Sequence, residues 1–114
     1  MANSSTRFTS DVAIVQVAKV DSTYAVDVYD THVFAATAGG AFTATLPLAA
    51  VAGEGKEIVF KKTDASANDF TVSRAGSDTI DGANTKVLGA QYDYLRLVSN
   101  GVATWSVIGQ VLNA

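Results

Sequence analysis

The stretch QYDYLRLVSNGVATWSVI, residues 91–108, decides the fold. Leu95 and Leu97 alternate with Tyr94, Arg96 and Val98, the period of two that sets successive strand side chains on opposite faces of a sheet. Asn100-Gly101 follows, a pair that tolerates the positive φ of a tight turn and is the strongest hairpin signal in the chain. Thr104 to Ile108 then returns with Trp105 and Val107 on one face, so two half-buried antiparallel strands are predicted.

Outward from this hairpin the same grammar repeats. Short β-branched and aromatic runs recur about every 10 residues between turn signals, the spacing of a sandwich or barrel. Glu57 to Lys62 reads as a strand with Ile58 and Phe60 on one face. The Asp- and Asn-rich run 64–69 reads as a turn, and Phe70 to Ser73 as a strand pairing back on 57–62. Lys86 to Leu88 is a further short strand. Phe42, Ala44 and Leu46 share a face of a strand that Pro47 ends, since proline cannot donate to a ladder. Leu48 to Gly55 permits one turn of helix before Gly53 and Gly55 close it. Thr23 to Ala36 is extended with a bend at Asp30-Thr31. Asp11 to Val20 is apolar on both faces, as in a strand covered on both sides or packed on another subunit, and residues 1–10 are polar and small. The reading is a single all-β domain, an antiparallel β-sandwich or short barrel of about eight strands with an extended N-terminal arm. Residues 1–20 form the arm and first strand, 21–114 the sandwich or barrel, and no internal repeat is evident.

Composition narrows the function. The chain of 114 residues carries 8 basic and 11 acidic residues, a net charge of −3, one His, one Met and no Cys. Disulfides and thiolate chemistry are absent, and an acidic balance speaks against nucleic acid as a partner. No apolar run reaches the roughly 18 residues of a membrane-spanning helix, so no membrane partner is expected, and the first residues lack the pattern of a signal peptide. Charged residues make up 17%, below the roughly 25% of an average domain. So little charge leaves apolar surface for a partner to cover, which points to a homo-oligomer.

Three stretches taken in order carry a resemblance: AFTATLPLAAVAGEGKEIVFKK (41–62), TDASANDFTVSRAGSDTIDG (63–82) and QYDYLRLVSNGVATWSVI (91–108). Together they resemble the small all-β module of tailed-bacteriophage tail-fibre, tail-spike and other virion proteins. The resemblance implies an often trimeric protein of the virion, made in the host cytoplasm, that serves in particle architecture or host attachment. Such modules usually sit inside long fibre chains. A copy beginning at a methionine looks more like a capsid decoration (cement) protein, with itself (as a homotrimer) and the major capsid protein or another virion protein as partners. Val12, Ile14, Val15, Val17 and Val20 are then the candidate subunit or particle contacts. In the alternative, a receptor- or glycan-binding module of a fibre or spike, Tyr92, Tyr94 and Trp105 are the candidate contacts to a host glycan, although Trp105 also reads as core.

Catalysis finds little footing. His32 with Asp27 or Asp30 lacks a nucleophile. Glu54 and Glu57 sit in and beside a glycine loop and read as solvated charges. Asp78 and Asp81 fall short of the six or more oxygens calcium requires, and read as turn caps around a buried Ile80. Lys61-Lys62 with Arg74 reads as a small basic patch, solvated or paired at a subunit contact. No catalytic residue, metal or cofactor is expected.

Overall fold

The computed structural model describes residues 15–113; Val12, Ile14 and most of the expected arm lie outside them. Ten strands are described: β1 (Val17–Val20), β2 (Tyr24–Ala25), β3 (His32–Ala35), β4 (Phe42–Thr45), β5 (Glu57–Lys62), β6 (Phe70–Ser73), β7 (Thr79–Ile80), β8 (Thr85–Leu88), β9 (Tyr94–Ser99) and β10 (Thr104–Val111). The expected single turn of helix is α1 (Ala49–Ala52). The chain is all-β, as its alternation implied.

The pairing departs from the expected antiparallel arrangement of about eight strands. A six-stranded sheet runs β1-β3-β5-β9-β10-β7 and a four-stranded sheet runs β2-β4-β6-β8. Within them β1, β3 and β5 are mutually parallel, as are β2, β4 and β6. From β1 to β6 the chain therefore alternates between the two sheets and stacks each strand on the one two before it. This is a short β-solenoid of three coils, which supplies the long crossovers that parallel pairing demands by way of the opposite sheet. Antiparallel pairs close it: β8 on β6, β9 on β5, and β10 on β9. The predicted hairpin of β9 and β10 is present; the predicted pairing of β6 on β5 is not, because the 63–69 loop carries the chain into the other sheet. The structure also shows a repeat that the sequence conceals, with Phe42-Thr43-Ala44-Thr45 stacked in register on Phe70-Thr71-Val72-Ser73.

The core lies between the sheets. Val33, Ile58, Phe60, Leu95, Leu97 and Trp105 from the larger sheet meet Ala44, Phe70, Val72 and Leu88 from the smaller, all fully buried. The Phe42 and Phe70 rings sit 5.4 Å apart and Phe60 lies 6.4 Å from Phe70, tilted contacts that each add about 1 kcal/mol beyond area burial. The turn at 100–103 follows expectation. The Asn100 side-chain oxygen accepts from the amides of Val102, Ala103 and Thr104. Gly101, at φ +77°, has room for no side chain, since a Cβ there would stand 2.9 Å from the Glu54 nitrogen.

The first coil is held by a polar clasp. The buried Asp30 carboxylate accepts from Gln16 Nε2 (2.9 Å), the Tyr24 hydroxyl (2.6 Å) and the Asp27 amide (3.0 Å), fastening the chain beside β1 and β2 to the turn before β3. Partial burial, and then the hydrogen bond to Asp30, push the Tyr24 hydroxyl up to about 12. A raised pKa contributes stability below the unfolded value near 10 that is lost as pH rises through the folded one. Tyr24→Phe is accordingly expected to cost about 1 kcal/mol at neutral pH. Chemical denaturation should then find the gap between wild type and variant closing between about pH 10 and 12. A gap constant across that range would mean that the hydroxyl does not hold the clasp.

Candidate functional site: the outer face of the six-stranded sheet

Alternation along β1, β3, β5 and β9 sends one set of side chains into the core and the other outward. Register aligns the outward set into rows across the strands. One row is Lys19, Phe34, Lys61 and Tyr94, on β1, β3, β5 and β9 in order. The next is Val17, His32, Val59 and Arg96. Two shallow grooves open here. One, of about 440 Å³, is bordered by Lys19, Asp21, Phe34 and Thr63. The other, of about 580 Å³, is bordered by Val15, His32, Val59, Tyr94 and the Arg96–Glu57 ion pair.

The charges on this face oppose those of the whole chain. Lys19, Lys61 and Arg96 stand on it, against Glu57 as the one acid among the described strand residues there, while the chain carries −3. Arg96 donates to Glu57 Oε1 at 2.9 Å, both ends half-exposed, so that pair contributes little to stability. Tyr92 is 61% exposed and holds a left-handed backbone at φ +70°, uncommon for an aromatic residue. Its amide donates to the Lys62 carbonyl at 2.8 Å, and Lys61 Nζ stands 5.3 Å from the ring centroid.

Neither the protein-family models nor the curated proteins compared with the chain give a match.

The structure sorts the residues singled out from sequence. Val15 and Val17 are exposed at 66% and 46%, and Val20 is half-buried against the core. Since β1 alternates exposed with half-buried side chains, one of its faces is open, whereas the sequence allowed cover on both. Tyr94 stands on the outer face, and Tyr92, in the turn before β9, holds its ring beside Lys61 of the same face. Trp105 does not join them: it is fully buried and donates to the Pro47 carbonyl at 3.1 Å, so it is withdrawn as a glycan contact. Asp78 is a cap, but for α1, accepting from the Ala49 amide at 2.8 Å; Asp81 lies exposed in a turn at φ +49°. His32 shares a hydrogen bond with Thr31 Oγ1 at 2.8 Å. Among the described residues no group of three or more His, Asp and Glu is placed to hold a metal ion.

Lys62 is the main correction. It is fully buried rather than part of a solvated patch, and it donates to the carbonyls of Asp64 (2.8 Å) and Ser66 (2.7 Å), with Asp64 Oδ2 at 3.6 Å. Asp93, which no sequence motif marks, is also buried and accepts from the amides of Gly89, Ala90 and Asn113.

Proposed function

We propose that the chain is a non-enzymatic structural protein of a tailed-bacteriophage particle, acting by self-association and by binding another virion protein, as a capsid decoration or cement protein does. The observation that supports it best is the open first coil. Gln16 and Val20 direct their carbonyls to β3, so the backbone groups of Val17 and Lys19 face away, along an edge with no strand beyond it among the described residues. A strand edge left in this state invites pairing with another chain, and a solenoid end generally needs a cap. Exposed Val15 and Val17 beside it give that pairing an apolar component.

The expected result is a mass three times the chain's 11.8 kDa by light scattering after size exclusion, reduced by Val17→Lys. A monomer at micromolar concentration would overturn pre-assembly. Particles that take up the protein regardless of residues 1–20 would overturn the assignment of that segment as the contact.

A second reading, a glycan-binding module, is favoured by Tyr92 and Tyr94 on one basic face. Aromatic rings with a polar edge stack well on sugars.

A further inference from the structure

The composition of the outer row narrows the ligand class of the glycan-binding reading, on which the inference rests. Lys19, Phe34, Lys61 and Tyr94 alternate cation and ring across four adjacent strands. Neighbouring strands lie about 4.8 Å apart, comparable to the length of one sugar unit. Lys19 and Lys61 are therefore about 10 Å apart, with a ring between them and another beyond. Tyr92 adds a further ring beside Lys61, 5.3 Å from Nζ. Lys19, Lys61 and Arg96 outnumber Glu57 and the groove-side Asp21 here, a local excess of positive charge on a chain that carries −3 overall, so this face favours an anion. Lys62, adjacent in sequence, is engaged with backbone carbonyls inside the protein and adds nothing to the row.

We propose that this row binds an acidic polysaccharide lying across the strands, with a carboxylate on every second sugar against Lys19 and Lys61 and the intervening sugars against Phe34 and Tyr94. The density of charge separates the polyanions. Single-stranded nucleic acid is also met by cations with stacking rings. It carries a phosphate on every unit, however, and is held by a strongly basic surface, whereas this row has one cation for every two strands on a chain of net charge −3. Exposed cations also make the binding sensitive to salt, because exposed charges are screened beyond about 10 Å at 0.1 M ionic strength.

The test is calorimetric titration of the full chain with four probes: hyaluronan oligosaccharides (one carboxylate per two sugars), polygalacturonate (one per sugar), neutral dextran and a single-stranded oligodeoxynucleotide. Hyaluronan is expected to bind best, to weaken as salt rises, and to lose about tenfold in the Lys19→Gln/Lys61→Gln double variant. Both lysines point outward, so the variant should melt as wild type does. Tyr92→Ala, at an exposed turn, is a second variant expected to weaken the same probe. Dextran binding as tightly as hyaluronan would overturn the acidic specificity and leave the glycan reading standing. Failure of all three glycans would overturn both. Tighter binding of polygalacturonate or of the oligonucleotide would overturn the alternating charge pattern.

Discussion

Lys62→Met is expected to lower the stability of the fold by about 3 kcal/mol, read as a fall in the urea midpoint with an unchanged slope. Methionine fills nearly the same volume, so packing is largely kept; what disappears is three donors. The carbonyls of Asp64 and Ser66 lose the ammonium that approaches them at 2.8 and 2.7 Å, and each buried orphan acceptor costs about 1–3 kcal/mol. Asp64 feels the change as well. Burial would raise its carboxyl, but hydrogen bonds from Ser66 and Thr37, with the Lys62 charge, outweigh this and hold it well below the usual carboxylate range. A depressed pKa contributes stability above the unfolded value, near 4, that is lost as pH falls through the folded one. The ammonium is the smallest of these lowering influences, so without it Ser66 and Thr37 still hold the carboxyl below its usual range, and the variant should lose only slightly less additional stability on acidification than wild type. A variant within 1 kcal/mol of wild type at neutral pH would mean that the 63–69 loop is held by Thr37 and Asn68 without the lysine.

Alternation alone could have found this residue. Ile58 and Phe60 share one face of β5 in the sequence as in the structure, and Lys62 continues that parity inward, as Asp93 precedes Leu95 and Leu97 on the inward face of β9. The charge masks the pattern, because buried lysines are rare; what makes this one tolerable is a pair of backbone carbonyls from a loop whose path the sequence does not disclose. The same limit explains the sheets. Which side chains of a strand point together is local information, so the halves of β5, β9 and β10 were legible. Which strand lies beside β5 is not local. The loop between β5 and β6 is long enough to close a hairpin or to cross to another sheet. What favours crossing, the pairing of β6 on β4 and the bonds of Lys62 and Thr37 to the loop, is all non-local or hidden in the loop's own path. The row of Lys19, Phe34, Lys61 and Tyr94 depends on three registers between strands distant in sequence, whereas Tyr92 and Tyr94 were visible because they are two residues apart.

Trp105→Ala is expected to be the most damaging single substitution, at about 3–5 kcal/mol, by the same urea measurement. Three features converge on this side chain. It is fully buried, so truncation leaves a cavity the two sheets can only partly fill. It lies at the pairing of β10 with the two-residue strand β7, opposite Ile80, where few other contacts hold that short strand. Its Nε1 donates to the Pro47 carbonyl, tying the end of the larger sheet to the turn that leads into α1. Trp105→Phe separates these contributions: it keeps most of the ring volume and removes the donor, so a loss of about 1–2 kcal/mol is expected. If both variants lost equally, the hydrogen bond to Pro47 would be the dominant tie; if neither lost more than 1 kcal/mol, the packing of the two sheets around the indole would be wrong. Being the one tryptophan in the chain, it also reports on the site from behind. An indole buried beneath the sheet should keep its emission unchanged when a glycan saturates the outer face, so ligand-dependent quenching in wild type would return Trp105 to the surface and remove it from the core.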